Sequence, residues 1–299
     1  MRYTMALLTV FTPAYNRAHT LPRLYESLQR QTCSDFEWLI IDDGSTDATA
    51  NLIAQWQQKD NAFPITYVYK ENGGLHTGYN EAIARLTTPL AVCVDSDDFL
   101  PDDAVETISA VWRTRGDATV AGIIALDADT NGTILGDPFP EQGTINLIDL
   151  LVGKYPIRQA DRKIVVRSDL YQKVAPMASF PGEKSFNPHY MHLQISQDFD
   201  FLVLNRVLCL VDYLPDGMSR GIWRQYLTSP RSFAQTRRLY LSFPQAPMSF
   251  RLRNCVHYVS SSILAKDRHF LNSSPRKLMT ALAILPGAAL ALYTKHKGR

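Results

Sequence analysis

The chain predicts an α/β fold, a Rossmann-like and mostly parallel sheet flanked by helices, with a basic helical extension after it. Three observations predict it. Short continuous apolar runs alternate with helix-period segments through the first half, each apolar run ends in a polar or acidic cluster, and the charge balance reverses near residue 217.

Residues 5–11 form an apolar run with β-branched members and read as the first strand; they are too few for the apolar stretch of a signal peptide. Leu21, Leu24, Tyr25 and Leu28 follow at helical spacing. Residues 36–41 are the second strand, and Ser45 or Thr46 is expected to cap a helix carrying Leu52, Ile53 and Trp56 on one face. Residues 65–69 are a third strand, followed by a turn at Asn72, Gly73 and Gly74 and a helix through residues 78–86. Residues 90–94 are the fourth strand. Pro101 suits the first position of the next helix, with Asp102 and Asp103 in its positive first turn and Val105, Ile108, Val111 and Trp112 as its buried stripe. Beyond these units the pattern turns irregular: strands at 120–126 and 164–166, a hairpin-type turn at Asn131 and Gly132, and the segment FPGEKSF at 180–186.

The net charge of +2 conceals an asymmetry: residues 1–216 hold 17 basic and 28 acidic side chains, whereas residues 217–299 hold 14 basic ones and a single acid, Asp267. Such a split predicts a basic surface that meets an anionic partner. Cys33, Cys93, Cys209 and Cys255 are scattered without metal spacing, fit a reducing compartment, and read as small buried hydrophobes.

In an open parallel sheet, ligands bind at the carboxyl ends of the strands. Four polar clusters fall there: residues 12–16, 42–45, 72–74 and 95–98. Asp95 and Asp97, one residue apart at a strand end, suit a hard divalent cation that also bridges phosphate oxygens. Such a cation neutralises the charge growing on a diphosphate leaving group. An acid at the end of the second strand, Asp42 or Asp43, can accept from a nucleobase N–H or a ribose hydroxyl, or cap the following helix. Neither GxxxxGK[ST] nor GxGxxG occurs, which removes support for ATPase and dinucleotide readings, and no nucleic-acid recognition motif accompanies the basic tail.

The segments FTPAYNRAHTLPRLYESLQRQTCSDFEWLIIDDGSTDAT, ENGGLHTGYNEAI and VCVDSDD together resemble family 2 glycosyltransferases of the GT-A fold, in order and spacing, from residue 6 to about 113. DRKIVVRSDL, FPGEKSF and VDYLPDGMSR are similar to a bacterial branch that assembles surface polysaccharides. The resemblance implies an enzyme that inverts the anomeric centre while moving a sugar from a nucleotide-sugar, a UDP-sugar first among them, to a glycan or a polyprenyl-phosphate-linked acceptor. It implies that Thr12, Pro13, Ala14 and Tyr15 line the nucleoside, that Asp43 holds the base, and that Asn72 and Gly74 sit near base and ribose. Asp95 and Ser96 would face the ribose or diphosphate, and Asp97, with Asp95, would ligate Mg2+ or Mn2+. Where many members carry Arg before the Asn of the third motif, this chain has Tyr79, so the nucleotide stays open. Glu183 matches the family's acidic base motif best, with Asp161 and Asp198 as the other candidates. Relatives commonly have Pro-Glu where this chain has Pro188 and His189. His76 could approach the donor or serve the core. A sugar-nucleotide-binding protein of the same fold without turnover is the second reading.

On this basis residues 1–125 are expected to bind the donor, residues 126–220 to bind the acceptor and carry the base, and residues 221–299 to form the helical tail. Residues 278–294 carry no charge and are flanked by Lys277 and Lys295; Pro286 and Gly287 are expected to break this segment near its middle. It is expected to lie in a membrane interface at the cytoplasmic face, or to pack on the catalytic domain, rather than to cross the bilayer.

Overall fold

The computed structural model describes residues 6–141, 143–212 and 221–298. Residue 5 of the first expected strand, and most of the VDYLPDGMSR segment, lie outside the described residues. The described chain forms two compact units. The first gathers residues 6–72, 78–176 and 195–212; the second gathers 73–77, 177–194 and 221–298.

The first unit is built on one eight-stranded sheet. Its strands are β1 (Leu8–Ala14), β2 (Phe36–Asp42), β3 (Ile65–Tyr69), β4 (Leu90–Cys93), β5 (Val120–Asp129), β6 (Thr144–Ile145), β7 (Arg162–Arg167) and β8 (Asp200–Val211). Their order is β3-β2-β1-β4-β7-β5-β8-β6. The first four run parallel, as the continuous apolar runs predict; β1 is buried along its whole length, with Leu8 opposite both Phe36 and Leu90. β7 is antiparallel to both β4 and β5, and β8 runs parallel to β5. That insertion makes the strands of the irregular region, β5 to β8, part of the same sheet, while residues 177–194 fall in the second unit.

Helices α1 (Leu21–Gln29), α2 (Thr49–Gln57), α3 (Leu75–Ile83) and α4 (Ala104–Arg115) follow the first four strands. The predicted stripes face the core, with Leu52, Val111 and Trp112 only partly buried. Tyr25 of α1 stacks on Trp56 of α2 at 4.4 Å between centroids, and Trp38 of β2 lies 5.8 Å from Trp56. Their starts differ from the sequence expectation. Neither Ser45 nor Thr46 caps α2: Ala48 takes the cap position, Asp47 just before it accepts from Thr49 N and Oγ1, and the Ser45 Oγ accepts from Asn16 N. Pro101 precedes α4 by three residues and Asp103 takes the cap position. α3 starts before residue 78 because Gly74, at φ +92°, turns the chain directly into the helix, and Thr77 N donates to its carbonyl. Asn131 and Gly132 do form the hairpin turn, with Asp129 and Thr133 bonded across it.

The second unit is helical in its C-terminal part: α8 (Ile222–Thr228), α9 (Pro230–Ser242), α10 (Met248–Leu264), α11 (Phe270–Ser273), α12 (Lys277–Leu282) and α13 (Ile284–Lys297). The short α5 (Leu147–Leu151) and α6 (Ser168–Val174) belong to the first unit, and α7 (His189–Ile195) falls almost wholly in the second. Leu241, Cys255, Tyr258, Val259 and Ala283 make its small separate core. The helix break expected at Pro286 and Gly287 falls instead at Ala283, which leaves Pro286 in the first turn of α13, where a missing N–H costs nothing. Among the described residues no helix is long and apolar enough to cross a membrane.

Candidate active site

The carboxyl ends of β1, β2 and β3 are tied together by backbone and short polar side chains. Asp43 N donates to Ala14 O at 2.8 Å, and Asn72 Nδ2 donates to Asp43 O at 2.8 Å. Gly44, at φ +86°, lies so close to Asn72 that a Cβ would meet its nitrogen at 2.9 Å. Asn16 adopts φ 55° and its Oδ1 accepts from Thr46 N, linking the loop after β1 to the loop after β2. Ala14, Asp43 and Asn72 are therefore brought together as expected from their motifs, and Tyr15 presents a half-exposed ring beside them.

The other members of the first cluster face inward. Thr12 is fully buried and its Oγ1 accepts the indole N–H of Trp38 at 3.0 Å. Pro13 packs against Gly78 of α3. Of the two acids ending β2, Asp42 is structural: it accepts from Ser45 N and from the Tyr67 hydroxyl, both at 2.7 Å. Asp43 is paired with Lys70 at 2.5 Å, a partner the sequence reading missed although Lys70 stands two residues before Asn72. Tyr79, in the position where the resemblance would put Arg, is buried edge-on against Phe11 at 5.0 Å. Burial, with Cys93 and Asp95 nearby, raises its phenol well above the ordinary range, so it stays neutral in the core.

At the end of β4, Asp95 is exposed, Ser96 buried and Asp97 half-buried, and Asp98 N closes a turn onto Asp95 O at 3.0 Å. Burial and the neighbouring charge of Asp95 raise the pKa of Asp97. Two carboxylates that repel each other at a partly desolvated strand end are a fitting donor set for Mg2+ or Mn2+, whose charge relieves that repulsion. Among the described residues no cluster of three or more His, Cys, Asp or Glu side chains could hold a metal.

Behind this turn lies a buried charge cluster that the sequence reading did not anticipate. Lys163 of β7 reaches Cys93 O at 3.4 Å and Asp98 at 3.8 Å. Burial acts to lower its pKa, but Cys209, Asp127, Asp98 and Asp95 outweigh that and hold the ammonium well above the ordinary lysine range. Its only sequence signal is a lysine at an inward position of a short apolar strand. Asp127 is buried, and among the described residues its Oδ1 has no hydrogen-bond partner. Burial, opposed by Lys163 and reinforced by Asp161, pushes it up to about 6. A carboxyl whose folded pKa exceeds its unfolded value of about 3.9 contributes stability at low pH that is lost as pH rises through the folded value. The unfolding free energy of Asp127→Asn relative to the parent is therefore expected to rise between pH 4.5 and 7.5, by about 2 kcal/mol, checked by denaturant unfolding across that range.

The three candidate bases stand in different places. β7 is antiparallel to β4, with Val92 opposite Val165, and to β5, with Leu126 opposite Arg162. Asp161, just before β7 and exposed, therefore lies on the edge of the sheet where β4 ends in Asp95 and Asp97. Asp198 precedes β8, which is parallel to β5 with Val120 opposite Asp200, so it lies on the opposite edge. Glu183 belongs to the second unit and is buried there. Its Oε1 accepts from Arg231 N at 2.9 Å, and its Oε2 accepts from Ser232 N and Ser232 Oγ, both at 2.8 Å. These are orphan donors of the first turn of α9, and the carboxylate also meets the positive end of that helix. Glu183→Ala is expected to cost about 1–3 kcal/mol of unfolding free energy, with Glu183→Gln recovering part of it, as read by urea denaturation.

Gly74 also falls in the second unit, with the Lys184 carbonyl where its Cβ would be. There His76 is buried beside Phe186, and His189 and His192 lie 5.6 Å apart edge to face. Cys209 and Cys255 are buried, as expected, while Cys33 and Cys93 are half-buried.

The sequence profile of Glycosyl transferase family 2 matches residues 9–170. Similar curated proteins include the glycosyltransferase GlyA of Streptococcus pneumoniae, 29% identical over 140 residues, which are 45% of this chain and 20% of GlyA. Chondroitin synthase of Pasteurella multocida is 35% identical over 129 residues, 43% of this chain and 13% of that protein. The matches span well under two thirds of either relative. Among solved structures, residues 1–349 of Staphylococcus aureus TarS in complex with UDP-GlcNAc align with a TM-score of 0.62 at 13% identity, covering 98% of this chain and 92% of that one. The mannosyltransferase PcManGT of Pyrobaculum calidifontis, in complex with GDP-Man and Mn2+, aligns at 0.58 and 17% identity, covering 98% and 89%. At such identities the likeness is one of fold, and the fold is GT-A.

Proposed function

Because the chain belongs to glycosyl transferase family 2, we propose that it transfers a sugar from a nucleoside-diphosphate donor to an acceptor hydroxyl, with inversion and with a divalent metal. The observation that carries this reading is the convergence of Ala14, Asp43 and Asn72 at one edge of the sheet, the edge at which β4 ends in Asp95 and Asp97. Tyr15 offers a face to the nucleobase, and Asp43, held by Lys70, is the acceptor of its N–H groups or of a ribose hydroxyl. Asn72, tied to the Asp43 carbonyl, would flank the base and ribose. Thr12 and Pro13, buried, support this floor through the chain they fix.

Asp95, next to Ser96, and Asp97 would hold Mg2+ or Mn2+. Bound there, the ion would supply charge neutralisation of the departing diphosphate. Inversion in a single displacement needs a base on the acceptor hydroxyl as the sugar leaves. Asp161 is the proposed base, because it is the exposed candidate on the metal-bearing edge, while Glu183 uses both oxygens on α9. Proton removal by Asp161 and charge neutralisation at Asp95 and Asp97 would then act on opposite partners of the same displacement.

The similarity to polysaccharide-assembling relatives supports a glycan or polyprenyl-phosphate-linked acceptor, reached at the inner face of the cell membrane, with a UDP-sugar as the first donor to try. The test is a nucleotide-sugar panel with Mn2+, read as donor binding and as release of nucleoside diphosphate. One donor bound and slowly hydrolysed supports the transferase. Binding without release in the presence of any acceptor would move the chain to the second reading, a non-catalytic sugar-nucleotide-binding protein, and no binding at all would sink both.

A further inference from the structure

The C-terminal helix pair is packed inside out. Thr280, Ala283, Gly287, Ala291 and Thr294 form its buried side. Gly287 sits so tightly on α10 that a Cβ would meet Val259 Cβ at 2.5 Å. The large apolar side chains point the other way: Leu278 is 77% exposed, Leu282 72%, Leu285 82% and Leu292 68%. Six of the twelve exposed large apolar side chains among the described residues fall within residues 278–293. A helix that buries its small residues and exposes its leucines is docked correctly on its own unit and still lacks a partner for its other face.

The charge around that face selects the partner. Lys277 begins α12, and Lys295, His296 and Lys297 occupy the last turn of α13, all exposed. The whole segment from residue 217 onward holds one acid against 14 basic residues. Apolar side chains bordered by lysines at both ends match a surface that offers hydrocarbon below and anions above. α13 has 14 residues, about 21 Å of helix, so it lies too short for a hydrocarbon core of about 30 Å and fits parallel to the surface.

We propose that the outward face of α12 and α13 inserts into the interface of an anionic phospholipid bilayer, with Leu278, Leu282, Leu285 and Leu292 as the inserted side chains. This deepens the reading of a membrane-side acceptor and rests on it only for its purpose; the surface itself is argued from the second unit alone.

The test is flotation of the full chain with vesicles of equimolar phosphatidylglycerol and phosphatidylethanolamine, against vesicles of phosphatidylcholine. The wild type is expected to float with the anionic vesicles, to lose most binding at high salt, and to bind the neutral vesicles at least tenfold less. Leu282→Glu/Leu285→Glu is expected to lower the bound fraction at least tenfold with an unchanged circular dichroism spectrum, because both side chains are exposed. Lys277→Glu/Lys295→Glu is expected to weaken anionic binding alone. No flotation at low salt, or equal flotation of the leucine double variant, would overturn the proposal. A concentration-dependent dimer abolished by the same variant, without flotation, would overturn it in favour of a second copy of the chain. Nucleotide release is measured separately in solution, so flotation without turnover would count against the transferase reading and not against this one.

Discussion

Asp97→Ala is expected to abolish Mn2+-dependent donor binding and to lower nucleotide release by at least about 10^3-fold, while leaving the metal-free protein as stable as the parent. Both halves follow from where Asp97 stands. Its carboxyl is half-buried beside Asp95, and burial together with that charge makes ionisation harder. Removing it therefore relieves repulsion in the metal-free chain. With the ion and donor present, the same carboxylate is a ligand, and losing it forfeits neutralisation worth several kcal/mol at the leaving group, about tenfold in rate for each 1.4 kcal/mol. A thermal shift assay separates the two states: ligand at 100 times its Kd should stabilise the parent by about 2.7 kcal/mol and the variant by nothing. Asp98→Ala gives the contrast. Asp98 is buried against Lys163, accepts from Cys209 Sγ and faces Asp212 N. Its loss should weaken folding with metal absent, which Asp97→Ala should not. If Asp97→Ala retains the Mn2+-dependent shift, the pair ending β4 is not the metal site.

The contrast between neighbouring acids also shows what a sequence carries and what it withholds. Strand ends were legible because a buried parallel strand must be a continuous apolar run, and such a run stops abruptly at the first acid: Ile41 to Asp42, and Val94 to Asp95. Which of two adjacent acids faces the site was not legible, since it depends on a turn. Asp42 is drawn inward by Ser45 N and the Tyr67 hydroxyl, and Asp43 is left at the edge with Lys70. Thr12 reads as a polar strand-end residue, yet an indole one strand away captures its hydroxyl. Beyond residue 120 the difficulty is one of direction. β7 enters between β4 and β5 running backwards, while β8 runs forward beside β5. Nothing in the composition of either strand encodes that, and it decides which edge Asp161 and Asp198 occupy. Glu183 illustrates a third case. A motif match put an acid in a Pro-Gly turn, and the donors that engage it come from the start of a helix 48 residues later.

Asp161→Asn is expected to leave donor binding within about twofold of the parent and to lower kcat for transfer by about 10^2–10^4-fold, the range that a positioned general base supplies. Asparagine keeps the size and hydrogen-bonding reach of the side chain but cannot take a proton, so a loss confined to kcat marks proton removal rather than binding. Glu183→Gln makes the decisive comparison. Its carboxylate satisfies three donors in the first turn of α9, so the variant should lose unfolding free energy and keep most of the turnover per folded molecule. Asp198→Asn, on the far edge of the sheet, should change neither. The assignment rests on register: an acid one residue before β7 must sit at the edge where β4 ends, because Val92 and Val165 are paired in opposite directions. If Asp161→Asn transfers at the parental rate while Glu183→Gln is folded and inactive, the cap on α9 must open during turnover and Glu183 is the base. If both variants transfer normally, the proton leaves through a group supplied by donor or acceptor. Full-length titrations of donor with each variant, followed by single-turnover transfer on the same samples, distinguish these outcomes by which step is lost.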